Sequence, residues 1–211
     1  MKINYVKVID CLLEMKKFPD KCVDVIITDP PYGIGESTHR ASSRSKLAKT
    51  KDYGSFEWDR KISKDYFNEM LRVSKNQIIF GGNYYANWLP PSSCWIVWDK
   101  DNGSSNFADC ELAWTSFNSA VRKFKWRWNG MIQEDMKNKE VRVHPTQKPL
   151  PLMKWLVSNY SKENDVVLDP FMGSGSTLVA AKHLNRRFIG FDINKQYVSN
   201  ALERLQQEIL L

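Results

Sequence analysis

Two short segments carry residues whose types and spacing could do chemistry. The first is Asp29-Pro30-Pro31-Tyr32-Gly33, which follows the apolar run Val23-Asp24-Val25-Ile26-Ile27-Thr28. Prolines fix φ and remove amide donors, so a stiff turn holds one carboxylate, the free Pro30 carbonyl and one aromatic ring together. An aromatic exocyclic amine needs these groups, because the carboxylate and the carbonyl accept its two N–H bonds while the ring stacks on tyrosine. The amine nitrogen is a poor nucleophile, its lone pair being delocalised into the ring. Acceptors out of the ring plane favour a pyramidal nitrogen and stabilise the charge that develops on alkylation, by position and electrostatics more than by proton abstraction. Asp29, Pro30, Pro31 and Tyr32 are the candidate catalytic residues. Read alone, they also suit an ordinary Asp-Pro turn with Tyr32 in the core.

The second segment runs from a branched apolar run at 166–168 through Asp169-Pro170-Phe171-Met172-Gly173-Ser174-Gly175-Ser176-Thr177. It reads as strand, glycine turn and helix, with backbone able to approach a ligand and free N–H groups at the helix start. Asp192, nineteen residues after Gly173, is placed to accept from ribose hydroxyls. Leu178 stands where a dinucleotide fingerprint has its third glycine. A nucleoside without phosphates fits better. Asp169 suits the cationic amino-acid end of S-adenosylmethionine and would repel a pyrophosphate.

These segments need a frame. Apolar runs at 23–28, 77–80, 95–98, 111–115, 166–168 and 187–191 alternate with amphipathic stretches at 63–74, 151–160, 176–184 and 195–210. That pattern predicts one α/β domain over 1–211, with a mixed, mostly parallel sheet and helices on both faces. In the last stretch Tyr197, Ala201, Leu205 and Ile209 recur every four residues, so one stripe faces a core. Ligands of such sheets bind beyond the carboxyl ends of the strands, where both segments fall.

Two stretches are basic. Arg40, Arg44, Lys46, Lys49 and Lys51 follow one another without an acid, which predicts a mobile surface loop over about 36–61. At 122–128, Arg122, Lys123, Lys125 and Arg127 alternate with Phe124, Trp126 and Trp128. This reads as a strand with rings inward and cations in water.

With 211 residues the chain has room for one domain, and Lys plus Arg exceed Asp plus Glu by 31 to 24, which suits a polyanionic partner. Cys11, Cys22, Cys94 and Cys110 form no C-x-x-C pair, and the histidines are His39, His144 and His183. That spacing argues against a zinc site or a disulfide framework, so no metal is expected. The first residues lack the apolar run of a signal peptide or membrane span, and a cytoplasmic protein is expected.

Taken together, Asp29-Pro30-Pro31-Tyr32 followed far downstream by Phe171-Met172-Gly173-Ser174-Gly175 resembles the amino-methyltransferases of DNA, in the permuted beta-class order where the catalytic motif precedes the cofactor loop. His144-Pro145-Thr146-Gln147-Lys148-Pro149 resembles the segment these enzymes place near the methionine end of the cofactor. Asp10-Cys11-Leu12 resembles their adenine-binding segment, and Phe188-Ile189-Gly190-Phe191-Asp192 their ribose-binding strand. The resemblance implies a circularly permuted Rossmann-like fold, S-adenosylmethionine as cofactor with S-adenosylhomocysteine as product, and base flipping in double-stranded DNA. It also implies that the basic residues at 40–51 and 122–127 contact the DNA, and a bacterial or phage setting, in which a cognate restriction enzyme is a candidate partner that the sequence itself does not call for.

The cofactor residues implied are Asp10, Cys11, Asp29, His144, Thr146, Lys148, Asp169, Pro170, Phe171, Gly173, Ser174, Gly175, Thr177 and Asp192. In the family an aspartate opening the motif accompanies adenine N6 and a serine accompanies cytosine N4, so Asp29 favours adenine. The alternatives are a cytosine-N4 enzyme, an RNA methyltransferase, a protein-glutamine methyltransferase (which carries asparagine at this place) and a non-catalytic DNA-binding protein. Larger members insert a long recognition region, for which this chain has only about 118–143. Short or loose sequence selection, or a homodimer, is expected. Tyr32 is the expected wall of the flipped-base pocket; Trp114 is a candidate for a second wall, although a Trp in a strand is more often core; and His144 is read as a structural residue at the Pro145 turn, since the chemistry needs no catalytic base.

Overall fold

The computed structural model describes residues 2–33, 62–103, 108–129, 132–144 and 146–207. Its elements are β1 (Tyr5–Val8), α1 (Cys11–Met15), β2 (Val23–Thr28), α2 (Lys64–Val73), β3 (Ser74–Phe80), a 3-10 turn (Gly82–Tyr85), β4 (Trp95–Asp99), β5 (Cys110–Thr115) and β6 (Arg122–Lys125). Then follow β7 (Trp128–Asn129), β8 (Ile132–Gln133), α3 (Leu150–Tyr160), β9 (Val166–Asp169), α4 (Ser176–His183), β10 (Arg187–Asp192) and α5 (Lys195–Gln206). The six anticipated strands and four anticipated helices are all present. Five elements were not anticipated: β1, with its alternating Lys7, the five-residue α1, the 3-10 turn, and the paired β7 and β8 of two residues each. All are too short to show a period.

The main sheet has the order β1-β10-β9-β2-β3-β5-β4-β6. From β1 to β3 all neighbours are parallel. Strand β5 then runs antiparallel to both β3 and β4, and β6 is parallel to β4. Alternation along the central strands divides the core. Ile26, Ile79, Leu168 and Ile189 face α1 and α2 through Met15, Phe67 and Met70. Val25, Ile27, Ile78 and Val167 face α3 and α4 through Leu156, Val157, Ala180 and Ala181. Covering both faces explains why these strands read as continuous apolar runs. On α5 the stripe residues Tyr197, Ala201 and Leu205 are buried as anticipated, while Ile209 lies outside the described residues.

The helix α4 sits unusually close to β10. A β-carbon at Gly190 would lie 2.4 Å from Leu178 Cδ1 and 2.6 Å from Met172 Sδ. The missing glycine of the dinucleotide pattern thus has its counterpart on the strand: Gly190 makes the room that Leu178 fills.

In β6, Arg122, Lys123 and Lys125 are exposed while Phe124 packs inward against Trp155, with ring centroids 5.3 Å apart. The cations are partnered at the end of β4: Lys123 to Asp99 at 3.3 Å, Lys125 to Asp101 at 2.9 Å, and Arg127 to Asp101. Arg40, Arg44, Lys46, Lys49 and Lys51, and the loop expected over 36–61, lie outside the described residues. No described helix is long and apolar enough to cross a membrane.

Candidate active site

The carboxyl ends of β1, β10, β9, β2 and β3 open on one cleft of about 940 Å³, the size of a nucleoside-ligand pocket. Asp10, Cys11, Asp29, Pro30, Pro31, Tyr32, His144, Thr146, Lys148, Asp169, Pro170, Phe171, Gly173, Ser174, Thr177 and Asp192 all line it. The two segments singled out by their chemistry therefore meet because β2 and β9 are neighbours in the sheet. Gly175 does not line the cleft; it precedes α4 and packs on Ala201.

At the catalytic end, both carboxylate oxygens of Asp29 are engaged: the Tyr32 hydroxyl donates to Oδ1 and the Lys148 ammonium to Oδ2. Burial, reinforced by the Asp29 charge, pushes the Tyr32 phenol well above its usual range, so the hydroxyl keeps its proton and remains a donor. The Tyr85 hydroxyl donates to the Pro31 carbonyl and holds the turn. The Tyr32 ring stacks on Tyr84, with centroids 4.8 Å apart and 25° between planes.

Gly81 sets that ring's position. Its φ is +65°, and a β-carbon there would lie 2.1 Å from Tyr32 Cε1. Gly81→Ala should therefore cost about 1–2 kcal/mol of stability for the left-handed backbone and displace Tyr32. The expected result is loss of methyl transfer of tenfold or more, on the scale of the orientation losses that small misplacements cause, with cofactor affinity unchanged by calorimetry. Wild-type turnover in this variant would show that Tyr32 needs no fixed pose.

The cofactor end is built from carboxylates. Asp169 is buried, accepts from Thr28 Oγ1 at 2.7 Å and from the Phe171 N–H at 3.1 Å; burial raises its carboxyl to about 6 against these hydrogen bonds. Asp192 accepts from Gly173 N at 3.1 Å and Asn194 N at 2.8 Å, and burial again raises it to about 6. Asp10 caps α1 through Leu12 N at 2.9 Å and accepts from the Tyr66 hydroxyl at 2.9 Å.

Among the described lining residues Lys148 is the single lysine, against four aspartates. Such a cleft suits a ligand with positive charge and hydroxyls, as S-adenosylmethionine has, and disfavours phosphates. Among the described residues no cluster of His, Cys, Asp and Glu could hold a metal.

His144 lines the cleft; its Nδ1 accepts from Thr146 N at 3.2 Å, and its ring meets Tyr197 edge-on at 4.2 Å. Pro145 lies outside the described residues. The segment around it is braced by the Trp128 indole, which donates to the Gln147 carbonyl at 3.0 Å.

Trp114 is a correction. It is buried in the core on the α1 and α2 side, donates to the Pro90 carbonyl at 2.8 Å, and is absent from the cleft wall. Because β5 is antiparallel, its first residues reach the cleft edge and its later ones, Trp114 among them, recede. Tyr66 was missed: it lines the cleft from α2 and faces Phe171 with centroids 5.8 Å apart. Ile9, Ile62 and Ile193 were missed with it. Isolated apolar residues flanking acids carry no period, so only strand-end placement could have found them.

Comparison with known proteins agrees with this geometry. Residues 91–203 match the N6/N4 family model described as DNA methylase. The chain is 31% identical to the type II methyltransferase M.HpaI of Haemophilus parainfluenzae, over 92% of this chain and 71% of that one. It is 29% identical to the type II methyltransferase M2.DpnII of Streptococcus pneumoniae, over 92% and 86%. Among solved structures, the complex of M1.HpyAVI with S-adenosylmethionine superposes with a TM-score of 0.61 at 24% identity, covering 96% of this chain and 99% of that one. The cytosine-N4-specific PvuII DNA methyltransferase superposes with 0.63 at 15% identity, covering 100% and 89%. Motif order, cleft and sequence similarity agree: the chain belongs to the N6/N4 family of DNA methylases, S-adenosylmethionine-dependent enzymes that methylate exocyclic amines of DNA bases.

Proposed function

We propose that this chain methylates the N6 amine of an adenine flipped out of double-stranded DNA. The observation that supports this reading best is the aspartate opening the Pro-Pro-Tyr turn, with its carboxylate held in the cleft beside Tyr32 and next to the cofactor half. The PvuII enzyme, specific for cytosine N4, has a similar fold, so the sheet alone does not distinguish the two bases.

S-adenosylmethionine, when bound, supplies an electrophilic methyl group. The protein does the rest. Asp29 and the Pro30 carbonyl accept the two amine N–H bonds and fix the nitrogen lone pair toward the methyl, while Tyr32 stacks on the base. The Asp29 carboxylate offsets the positive charge that grows on the nitrogen. Asp192 and Asp10 would hold the nucleoside end of the cofactor by accepting from it, and Asp169 would hold the cationic amino-acid end. The exposed row Arg122, Lys123, Lys125 and Arg127 offers phosphate contacts, exchanging its carboxylate partners for DNA in a salt-dependent way.

The test is methyl transfer from labelled S-adenosylmethionine to unmethylated duplex DNA, followed by digestion and nucleoside mass spectrometry. Labelled N6-methyladenine is expected. N4-methylcytosine would overturn the base assignment, and no DNA label from a protein that binds the cofactor would redirect the search to RNA or protein.

A further inference from the structure

Lys148 is shared. Its ammonium donates to Asp29 Oδ2 and lies 3.1 Å from Glu111 Oε2, above the Phe80 ring at 5.0 Å. Glu111 in turn pairs through Oε1 with Lys100. The four groups form an alternating row, Asp29, Lys148, Glu111, Lys100, in which Lys148 is 9% exposed and the others 18–27%. Only Asp29 and Lys148 line the cleft; Glu111 and Lys100 stand behind them.

Topology brings Glu111 there. In register it lies opposite Trp98, two positions beyond the Ala113–Phe80 pair that ends β3. Since β5 is antiparallel, this early residue sits at the carboxyl edge of the parallel strands. Its carboxyl is kept ionised: burial works against that, but the ammoniums of Lys148 and Lys100 outweigh it and hold the group at about 2.

A bare ammonium on Asp29 would be a poor neighbour for the proposed chemistry. It would weaken the carboxylate as an acceptor of the amine N–H and repel the positive charge growing on the nitrogen. A second carboxylate on the far side of the same ammonium reduces both effects, since charges this close and partly desolvated interact strongly.

We propose that Glu111 is a positioning residue for methyl transfer: it draws the Lys148 ammonium away from Asp29 and so keeps Asp29 an effective acceptor for the substrate amine. This rests on the reading of Asp29 as that acceptor. Lys100 opposes the pull, because it takes up part of the Glu111 charge. Removing either partner breaks the same Glu111–Lys100 ion pair, yet the two removals move Lys148 in opposite directions.

The experiment measures single-turnover methyl transfer to unmethylated duplex DNA at saturating S-adenosylmethionine, with cofactor affinity by calorimetry and thermal midpoints alongside. Glu111→Gln is expected to lower the rate about tenfold with cofactor affinity within about twofold, while Lys100→Met runs above the wild-type rate. Equal losses in both variants would mean that the ion pair is merely structural and would overturn the proposal. So would an unchanged rate in Glu111→Gln, or a loss that follows cofactor affinity or thermal midpoint. Asp29→Asn serves as the reference. If it keeps the wild-type rate, the reading of Asp29 fails and the proposal with it; if it is inactive while Glu111→Gln is normal, only the proposal fails.

Discussion

Asp29→Asn is expected to lower the rate of methyl transfer by about 10²–10³ while cofactor affinity stays within a few-fold of wild type. The side chain keeps its size, so the turn built by Pro30 and Pro31 survives. What changes is charge: an amide oxygen is a weaker acceptor than a carboxylate, and it no longer offsets the positive charge on the amine in the transition state. Removing one well-placed electrostatic contact of this kind costs on the order of 10²–10³ in rate. The variant also loses the ion pair with Lys148, but Glu111 remains to hold that ammonium, so no buried charge is stranded. The informative measurement is the separation of rate from binding. A fall in affinity matching the fall in rate would place Asp29 on the cofactor and not on the base.

Asp192→Ala should act on the other half of the cleft. A carboxylate accepting from ribose hydroxyls makes hydrogen bonds worth about 1.5–3 kcal/mol each, so cofactor affinity should fall roughly 10- to 100-fold. The same site predicts a pH dependence. Asp169 and Asp192 titrate at about 6 in the folded protein, against an ordinary value of 3.8.

A raised carboxylate binds protons more tightly when folded, so its contribution to the stability of the free protein is complete below 3.8 and is lost as pH rises through 6. Cofactor binding has the opposite sign, because it needs the charged form. Affinity for S-adenosylmethionine should therefore rise between pH 5 and pH 7, and the thermal shift caused by the cofactor should grow with it. A flat affinity over that interval would mean that neither carboxylate titrates on binding.

The sequence made the centre of the molecule legible and its margins obscure, for physical reasons. Strands β2, β9 and β10 are covered on both faces and must be apolar throughout, so they stand out in any chain. The residues at their ends, Asp29, Asp169 and Asp192, inherit that clarity. Strand β1 is an edge strand of four residues with Val8 exposed, and nothing in its composition demands pairing.

Glu111 and Trp114 were placed wrongly or passed over for one reason: the direction of β5 decides which end of it meets the cleft, and direction is a property of the sheet rather than of the segment. Tyr66 was hidden on a helix that reads as polar and charged on its outer side. Its value comes from Asp10, 56 positions away in the chain.

The placement of β9 also bears on how the enzyme is born. Residues 166–169 occupy the middle of the sheet, inserted between β2 and β10, and the hydrogen bond from Thr28 to Asp169 spans 141 positions. A growing polypeptide emerging from the ribosome therefore carries the base-gripping turn long before the strand that completes it. Until that strand arrives, the apolar edge of β2 has no neighbour on that side and is exposed to off-pathway association. Folding must wait for these distant pairings, which slows it. The order of synthesis has a consequence: a product of translation interrupted before residue 166 lacks Asp169 and Asp192, two of the four aspartates that line the cleft.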